Sequence, residues 1–317
     1  MNPLPTKILL ATDGSEEATL VAQTAAELAA KSGSELHIVH VSPRVVPHYP
    51  GYYMGPEVAE HAQQKEQEHL DREAQRLLDT QVEQVRAAGG SMAQAHLRIG
   101  RSAEEIVALA EELGVELIVI GSRGRGGVRR AVMGSVSDSV VRHAHCSVLV
   151  VRKGKREEVV SILPAKILLA SDGSAEANLA AYTAVDLADK TNLELHIVYV
   201  QSIPLSVPLS IDPDSDEIAI SGATEDIRQE AQWFLNAALK QVKAIDGTIA
   251  RAHLRIGDKP DQQIITVAEE IGAGLIVLGS RGMGGVRRAL LGSVSDSVVR
   301  HAHCPVLVVR KEEREKR

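Results

Sequence analysis

The string GSRGRGGVRRAVMGSVSDSV, Gly121 to Val140, returns as GSRGMGGVRRALLGSVSDSV, Gly279 to Val298. Gly121, Gly124 and Gly134-Ser135 bracket a loop that leaves a strand and enters a helix. Bare backbone N–H groups at its two ends can converge on an anion. Glycine matters there because a side chain would block close approach. A hydrogen bond to a charged group is worth about 1.5–3 kcal/mol net and the helix dipole only about 0.3–1 kcal/mol, so loop geometry should dominate. The spacing also excludes: there is no G-x-x-x-x-G-K-[ST], and the first helix follows DGS with no G-x-G-x-x-G. Arg123, Arg125, Arg129 and Arg130 can neutralise phosphate; the second copy keeps Arg281, Arg287 and Arg288 but has Met283 in place of Arg125, one charge fewer. The arginines of GVRR can equally be a solvated surface, and Gly134-Ser135 taken alone is only a helix start.

Asp13, in ATDGS, and Asp172, in ASDGS, follow the first strand of each copy. A carboxylate there can accept hydrogen bonds from a ribose or base and would repel a triphosphate, so it belongs at a nucleoside end. DGS is also a turn signal, and the aspartate can simply cap the helix behind it. The clusters RHAHC, ending at Cys146 and Cys304, look like metal-ligand chemistry. They straddle a helix end and a strand start with no second ligand cluster, and a histidine near a helix C-terminus is favoured by the dipole alone, so no metal held by side chains is expected. The two cysteines occupy equivalent positions and read as small buried apolar residues rather than as a disulfide.

These residues sit on a duplicated frame. KILLATDGS at Lys7 pairs with KILLASDGS at Lys166, ELHIVHV at Glu35 with ELHIVYV at Glu194, and AHLRIG at Ala95 with AHLRIG at Ala252; from Val128 to Lys153, 23 of 26 positions match Val286 to Lys311. Such a period means duplication of a whole domain, not a solenoid. The join lies in KGKREEVVSILP, giving units 1–155 and 156–317. In the first unit, short aliphatic strands are expected at Lys7–Thr12, Glu35–Val41, Ala93–Ile99, Glu116–Ile120 and Ser147–Val151, covered on both faces. Ser15 should cap a helix whose stripe is Ala18, Val21, Ala22, Ala25, Leu28 and Ala29, stopping at Gly33. A longer helix should span about Glu57 to Ala88; Ser102 and Glu105 make a capping box for a third, and Ser135 to His143 form a fourth. Each unit is thus a doubly wound parallel α/β domain with helices on both faces.

Composition bounds the rest. With 317 residues, 44% hydrophobic and 24% charged, the chain can bury two ordinary cores. A net charge of -7 argues against broad phosphate-backbone binding to nucleic acid. The start MNPLPTKILLATDGS has no charged leader before an apolar stretch, and no run approaches the roughly 18 apolar residues of a membrane span, so a cytoplasmic protein without membrane contact is expected.

ATDGS after the first strand, the G-x2-G-x9-G-S spacing and HCPVLVVR at His303 resemble the universal stress protein family in its tandem two-domain form, ATP-binding branch. The resemblance covers both units. It implies a five-stranded sheet in the order 3-2-1-4-5, with strands 1 and 4 side by side at the crevice where winding reverses, and bound ATP. Carried over by position, Asp13 and the backbone of Val41 hold the nucleoside, Gly100 lines the crevice, and Gly121, Ser122, Arg123, Gly124, Arg125, Gly126, Gly127, Gly134, Ser135 and Val136 hold ribose and phosphates. In the second unit these are Asp172, Val200, Gly257, Gly279, Ser280, Arg281, Gly282, Met283, Gly284, Gly285, Gly292, Ser293 and Val294. It also implies domain pairing or a homodimer through strand 5, an apolar sheet edge.

The loops after strand 2 differ most: SPRVVPHYPGYYMGPE at Ser42 against QSIPLSVPLSIDPDSDEIAISG at Gln201. Tyr49, Tyr52 and Tyr53 can stack on an adenine or meet a partner, or belong to a disordered flap. The reading that unites these features is an ATP-binding regulatory protein of the stress response, with magnesium as the nucleotide's counter-ion and association as output. A slow ATP hydrolase or phosphotransferase is the enzymatic alternative, although no acidic pair accompanies the glycine loop. A nucleotide-free scaffold acting through its edge strands is the other.

Overall fold

The computed structural model describes residues 5–45, 56–90, 92–124, 133–153, 166–203, 209–211, 218–220, 224–283 and 291–311. The chain divides into two compact units, with the boundary between Arg152 and Lys153.

In the first unit β1 (Lys7–Ala11), α1 (Glu16–Ser32), β2 (Glu35–Ser42), α2 (Pro56–Ala87), β3 (Met92–Ile99), α3 (Ser102–Leu113), β4 (Leu117–Gly121), α4 (Ser135–His143) and β5 (Ser147–Val151) alternate. All pairings are parallel, in the order β3-β2-β1-β4-β5, so β1 and β4 are neighbours and the crevice opens between their carboxyl ends. Ile8, Leu9 and Leu10 are all fully buried although successive side chains face opposite ways, which requires cover on both faces. Each such side chain contributes about 1.5–3 kcal/mol of burial.

The second unit repeats the plan with β6 (Lys166–Ala170), α5 (Ala175–Thr191), β7 (Glu194–Ser202), α6 (Thr224–Ala244), β10 (Arg251–Gly257), α7 (Pro260–Ile271), β11 (Leu275–Gly279), α8 (Ser293–His301) and β12 (Val306–Val309), paired β10-β7-β6-β11-β12. Between β7 and α6 it adds two short antiparallel strands, β8 (Leu209–Ile211) and β9 (Ile218–Ile220), where the sequence reads as loop.

The expected apolar stripe of α1 is buried throughout, and Gly33 closes the helix at φ +70° with its N–H on the Ala29 carbonyl. Two caps differ from expectation. Ser15 stands at the N-cap, but its hydroxyl makes no cap bond; Asp13 Oδ1 instead accepts the Ser15 N–H at 3.0 Å. The capping box at Ser102 does not form, because α3 starts one residue earlier than that motif needs, with Arg101 at the N-cap. Gly100 explains the shift: its N–H is tied to the Ser42 carbonyl, and the Glu105 carboxylate folds over it, 2.6 Å from where a Cβ would stand.

Both units carry a histidine pair between the second and third strands of the sheet. His37 Nδ1 and His96 Nε2 share a hydrogen bond of 3.2 Å, and His196 and His253 one of 3.1 Å. Burial, then the paired histidine and Arg98, hold His96 below the usual 6.5; burial, then His196, Arg251 and Arg255, do the same to His253, with Glu112 and Glu270 opposing. A histidine with a lowered folded pKa is protonated first in the unfolded chain, so its stabilisation is full at neutral pH and is lost as pH falls below about 6.5. Thermal denaturation from pH 8 to 5 should therefore show a Tm that is level above about pH 7 and declines below it, and His96→Gln with His253→Gln should flatten the decline.

Candidate nucleotide site

The glycine loop and the aspartate of the first turn meet at the carboxyl end of each sheet. A Cβ on Gly124 would collide with Asp13 Oδ2, and one on Gly282 with Asp172 Oδ2. In the second unit the Met283 N–H donates to Asp172 Oδ2 at 2.9 Å while the Ser174 N–H donates to Oδ1 at 3.0 Å. The second glycine of the motif thus lies against a carboxylate of its own chain, a contact that spacing alone did not reveal.

The other glycines serve the frame. A Cβ on Gly279 would lie 2.8 Å from the Glu176 carbonyl carbon and 3.0 Å from the Ala177 nitrogen, so this residue lets β11 pack against the start of α5. Gly121 is less confined, with the Arg123 carbonyl oxygen at 3.2 Å and Val21 Cγ2 at 3.3 Å. Gly134 and Gly292 are N-caps in extended conformation. Their N–H groups are not bare, as expected from the sequence, but donate to the carbonyls of Ser122 at 2.9 Å and Ser280 at 2.8 Å. Ser122 and Ser280 spend theirs on Val151 and Val309, because the ladder to the neighbouring strand runs one residue past its end. The donors left for an anion at the helix end are the first-turn amides, Ser135 and Val136 in α4 and Ser293 and Val294 in α8, which have no acceptor within their helix.

Sequence reasoning missed the residues that brace this corner. Ser137 Oγ donates to the Gly121 carbonyl at 2.6 Å and Ser295 Oγ to the Gly279 carbonyl at 2.8 Å, both buried, tying the helix start to the strand end. The recurring SVSDS was the available signal. Ser295→Ala should lower stability by about 1 kcal/mol, read as a lower denaturation midpoint with the same slope. Glu17 was also missed: its carboxylate lies 3.9 Å from the Arg123 guanidinium, so part of that arginine's charge is already answered.

Val41 and Val200 lie near the carboxyl ends of β2 and β7, opposite Arg98 and Arg255. Gly100 follows β3 and Gly257 ends β10, and a backbone bond ties each to the end of the second strand, Gly100 N–H to Ser42 and Ile203 N–H, just past β7, to Gly257. Behind the first turn the units diverge. Leu77 faces Gly14 in the first; in the second Phe234 faces Gly173 and stacks on Tyr199, ring centroids 5.5 Å apart. Burial, then Glu230 and Asp172, push the Tyr199 phenol up to about 12, so it stays protonated and donates to Gln201. Arg125, Gly126, Gly127, Arg129, Arg130, Gly284, Gly285, Arg287, Arg288, Tyr49, Tyr52 and Tyr53 lie outside the described residues.

The RHAHC histidines have separate employments. His143 Nδ1 donates to the Ser139 carbonyl and His145 pairs with Glu111, both at 2.8 Å, and His301 and His303 do likewise with Ser297 and Glu269. Cys146 is buried and Cys304 half-buried, and neither is in a disulfide. Among the described residues no three His, Cys, Asp or Glu side chains converge as metal ligands, and no helix is long and apolar enough to cross a membrane.

Comparison with known proteins accords with this geometry. The profile of the universal stress protein family matches residues 5–152 and again 165–310. A universal stress protein of Mycolicibacterium smegmatis is 28% identical over 304 residues, covering 96% of this chain and 96% of its own. One from Mycobacterium tuberculosis is 34% identical over 200 residues, 62% of each chain, so in that match the chain spans less than two thirds of its relative. The crystal structure of a universal stress protein from Archaeoglobus fulgidus superposes with a TM-score of 0.62 at 26% identity, covering 98% of this chain and 97% of that one. With the same five-strand order and the same aspartate-to-glycine contact built twice, and a family profile that recurs on each half, the chain belongs to the universal stress protein family and carries its domain in tandem.

Proposed function

We propose that each unit binds an adenine nucleotide, ATP with magnesium as its counter-ion, and that occupancy modulates association of the chain with itself or with other proteins during stress. The carrying observation is the twofold construction of one cradle: a glycine turn where a Cβ on Gly124 or Gly282 would meet the Asp13 or Asp172 carboxylate, beside the first-turn amides of a helix. The backbones of Val41 and Val200 with Gly100 and Gly257 would take the nucleoside. The loop amides with Ser135, Val136, Ser293 and Val294 would take the phosphates. Arg123 and Arg281 add charge, and Asp13 and Asp172 stand at the junction. The nucleotide would supply its own negative charge and metal; the protein orients it and excludes water.

We read the output as binding rather than turnover. Phosphoryl transfer needs a positioned base and metal-holding carboxylates, and in the second unit the Asp172 carboxylate beside the glycine loop already accepts two backbone N–H groups. The experiment is to denature the purified full chain and resolve the released small molecules by anion exchange. Adenine nucleotide at one per unit is expected. None after loading with ATP and magnesium would overturn the reading, and steady release of phosphate would favour a hydrolase.

A further inference from the structure

We propose that Gln63, Gln67 and Asp71 of α2 are positioning residues for the nucleoside end of the first site, holding the chain where it leaves Val41; this rests on the nucleotide reading above. The three follow one another at four-residue spacing on one helix, so they share a face, and that face meets the exit of β2. Gln67 Oε1 accepts the Val45 N–H at 2.9 Å, and its Nε2 donates to the Pro43 carbonyl at 3.4 Å and to Asp71 Oδ1 at 2.9 Å. Gln63 Nε2 donates to the Val45 carbonyl at 3.2 Å. Asp71 Oδ1 also accepts the hydroxyl of the fully buried Ser42 at 3.1 Å, while the Ser42 carbonyl accepts the Gly100 N–H. The clamp therefore reaches the residue after Val41 and, through it, the glycine after β3.

Glutamine is the residue type that such a clamp needs. Its amide both donates and accepts, so it can stand in for a neighbouring strand where a backbone presents N–H and C=O together; glutamate cannot donate and lysine cannot accept. The stand-in is needed because the sheet stops there. β2 ends at Ser42 and is followed by Pro43, which has no N–H to give a ladder, and among the described residues the bond from Gly100 to Ser42 is the last between the second and third strands. The second unit holds the same exit by other means. β7 continues to Ser202, and the next N–H, that of Ile203, still reaches the Gly257 carbonyl. Counted back from the shared AHLRIG, Gln63, Gln67 and Asp71 correspond to Ile220, Thr224 and Arg228, and α6, with 21 residues against 32 in α2, only begins at Thr224. The clamp belongs to the first site alone. A chain left to water at this exit would have to be ordered when a nucleoside binds, and the clamp removes that cost beforehand.

Hydrogen exchange of the full chain, titrated with adenosine and with ATP and read on peptides of β2 and of β7, follows the two sites separately. Gln67→Ala and Asp71→Ala should each weaken the first site by about fivefold, equally for the two ligands because the nucleoside is what they share, and should leave the second site unmoved. Asp71→Asn, which keeps the acceptor oxygen, should stay within about twofold of the wild type. Gln75→Ala, which removes an exposed bond to Asp79 on the same helix, should change neither site. Without ligand, the Val45 amide should exchange faster in Gln67→Ala than in the wild type. First-site affinity that survives Gln67→Ala and Asp71→Ala overturns the proposal, and so does a loss for ATP without one for adenosine. Equal losses at both sites, or a loss of the same size in Gln75→Ala, overturn it in favour of general destabilisation, and an unchanged Val45 exchange rate overturns the clamp itself. A wild type that binds neither ligand is a different failure: it overturns the nucleotide reading and takes this role with it.

Discussion

Gly279→Val should destabilise the second unit by about 3 kcal/mol, the upper range for overpacking, whereas Gly121→Val should cost the first unit about 1 kcal/mol. The two glycines hold the same place in the repeat, yet their surroundings differ. At Gly279 the obstructing atoms are backbone, the carbonyl carbon of Glu176 and the nitrogen of Ala177, so relief requires moving the first turn of α5. That turn is capped by Ser174, whose hydroxyl accepts the Ala177 N–H at 3.1 Å, and it abuts Asp172, so the hydrogen bond from Met283 N–H to Asp172 should loosen with it. At Gly121 one neighbour is the end of Val21, which can change rotamer, and the other contact is already at 3.2 Å. Trp233, the single tryptophan, lies on α6 and makes urea unfolding of the second unit visible by fluorescence, while far-UV circular dichroism follows the whole chain. Equal costs at the two sites would show that the closer approach of α5 is not what selects glycine at 279.

The frame of each unit was legible because few signals competed. Runs such as ILLA after Lys7 and LIVIG, too short for helices and apolar throughout, have one use in a globular domain, and the stripe of α1 has one period. Strand ends came within one residue. What the sequence withheld was contact across the crevice. Spacing identified Gly124 and Gly282 as places without room, but the ligand was the only visible reason; that the obstruction is Asp13 or Asp172 depends on β1 lying beside β4 and β6 beside β11. The bare amides expected at Gly134 failed for a related reason, since the partner carbonyl at Ser122 comes from the far side of the loop. The capping box at Ser102 was a correct local pattern overruled by Gly100, whose bond to Ser42 sets where α3 begins. The strands β8 and β9 were below the reach of periodicity: three residues each, Leu-Ser-Ile and Ile-Ala-Ile, in a segment dense with Pro and Asp.

Met283→Arg should tighten ATP binding at the second site by about tenfold, roughly 1.4 kcal/mol, without altering adenosine binding. The position separates two functions. Its backbone N–H is held by Asp172, and its side chain is 61% exposed, so the side chain can change while that hydrogen bond persists. Arginine stands at the equivalent place in the first unit, Arg125, and a guanidinium there adds a bidentate donor to a cluster that already includes Arg281. Exposure limits the gain: a fully realised bond to a charged group is worth about 1.5–3 kcal/mol, and screening removes part of it. Calorimetry of the wild type with ATP should therefore resolve a tighter and a weaker site, and the variant should bring them together. The reciprocal change, Arg125→Met, should bring them together from the other side by weakening the first. Raising the salt concentration should shrink both effects while leaving adenosine unmoved, since only the phosphate end carries the charge being answered. Two sites of equal affinity in the wild type would mean that the loop amides and helix starts set phosphate affinity alone, and that the one charge by which the loops differ is surface.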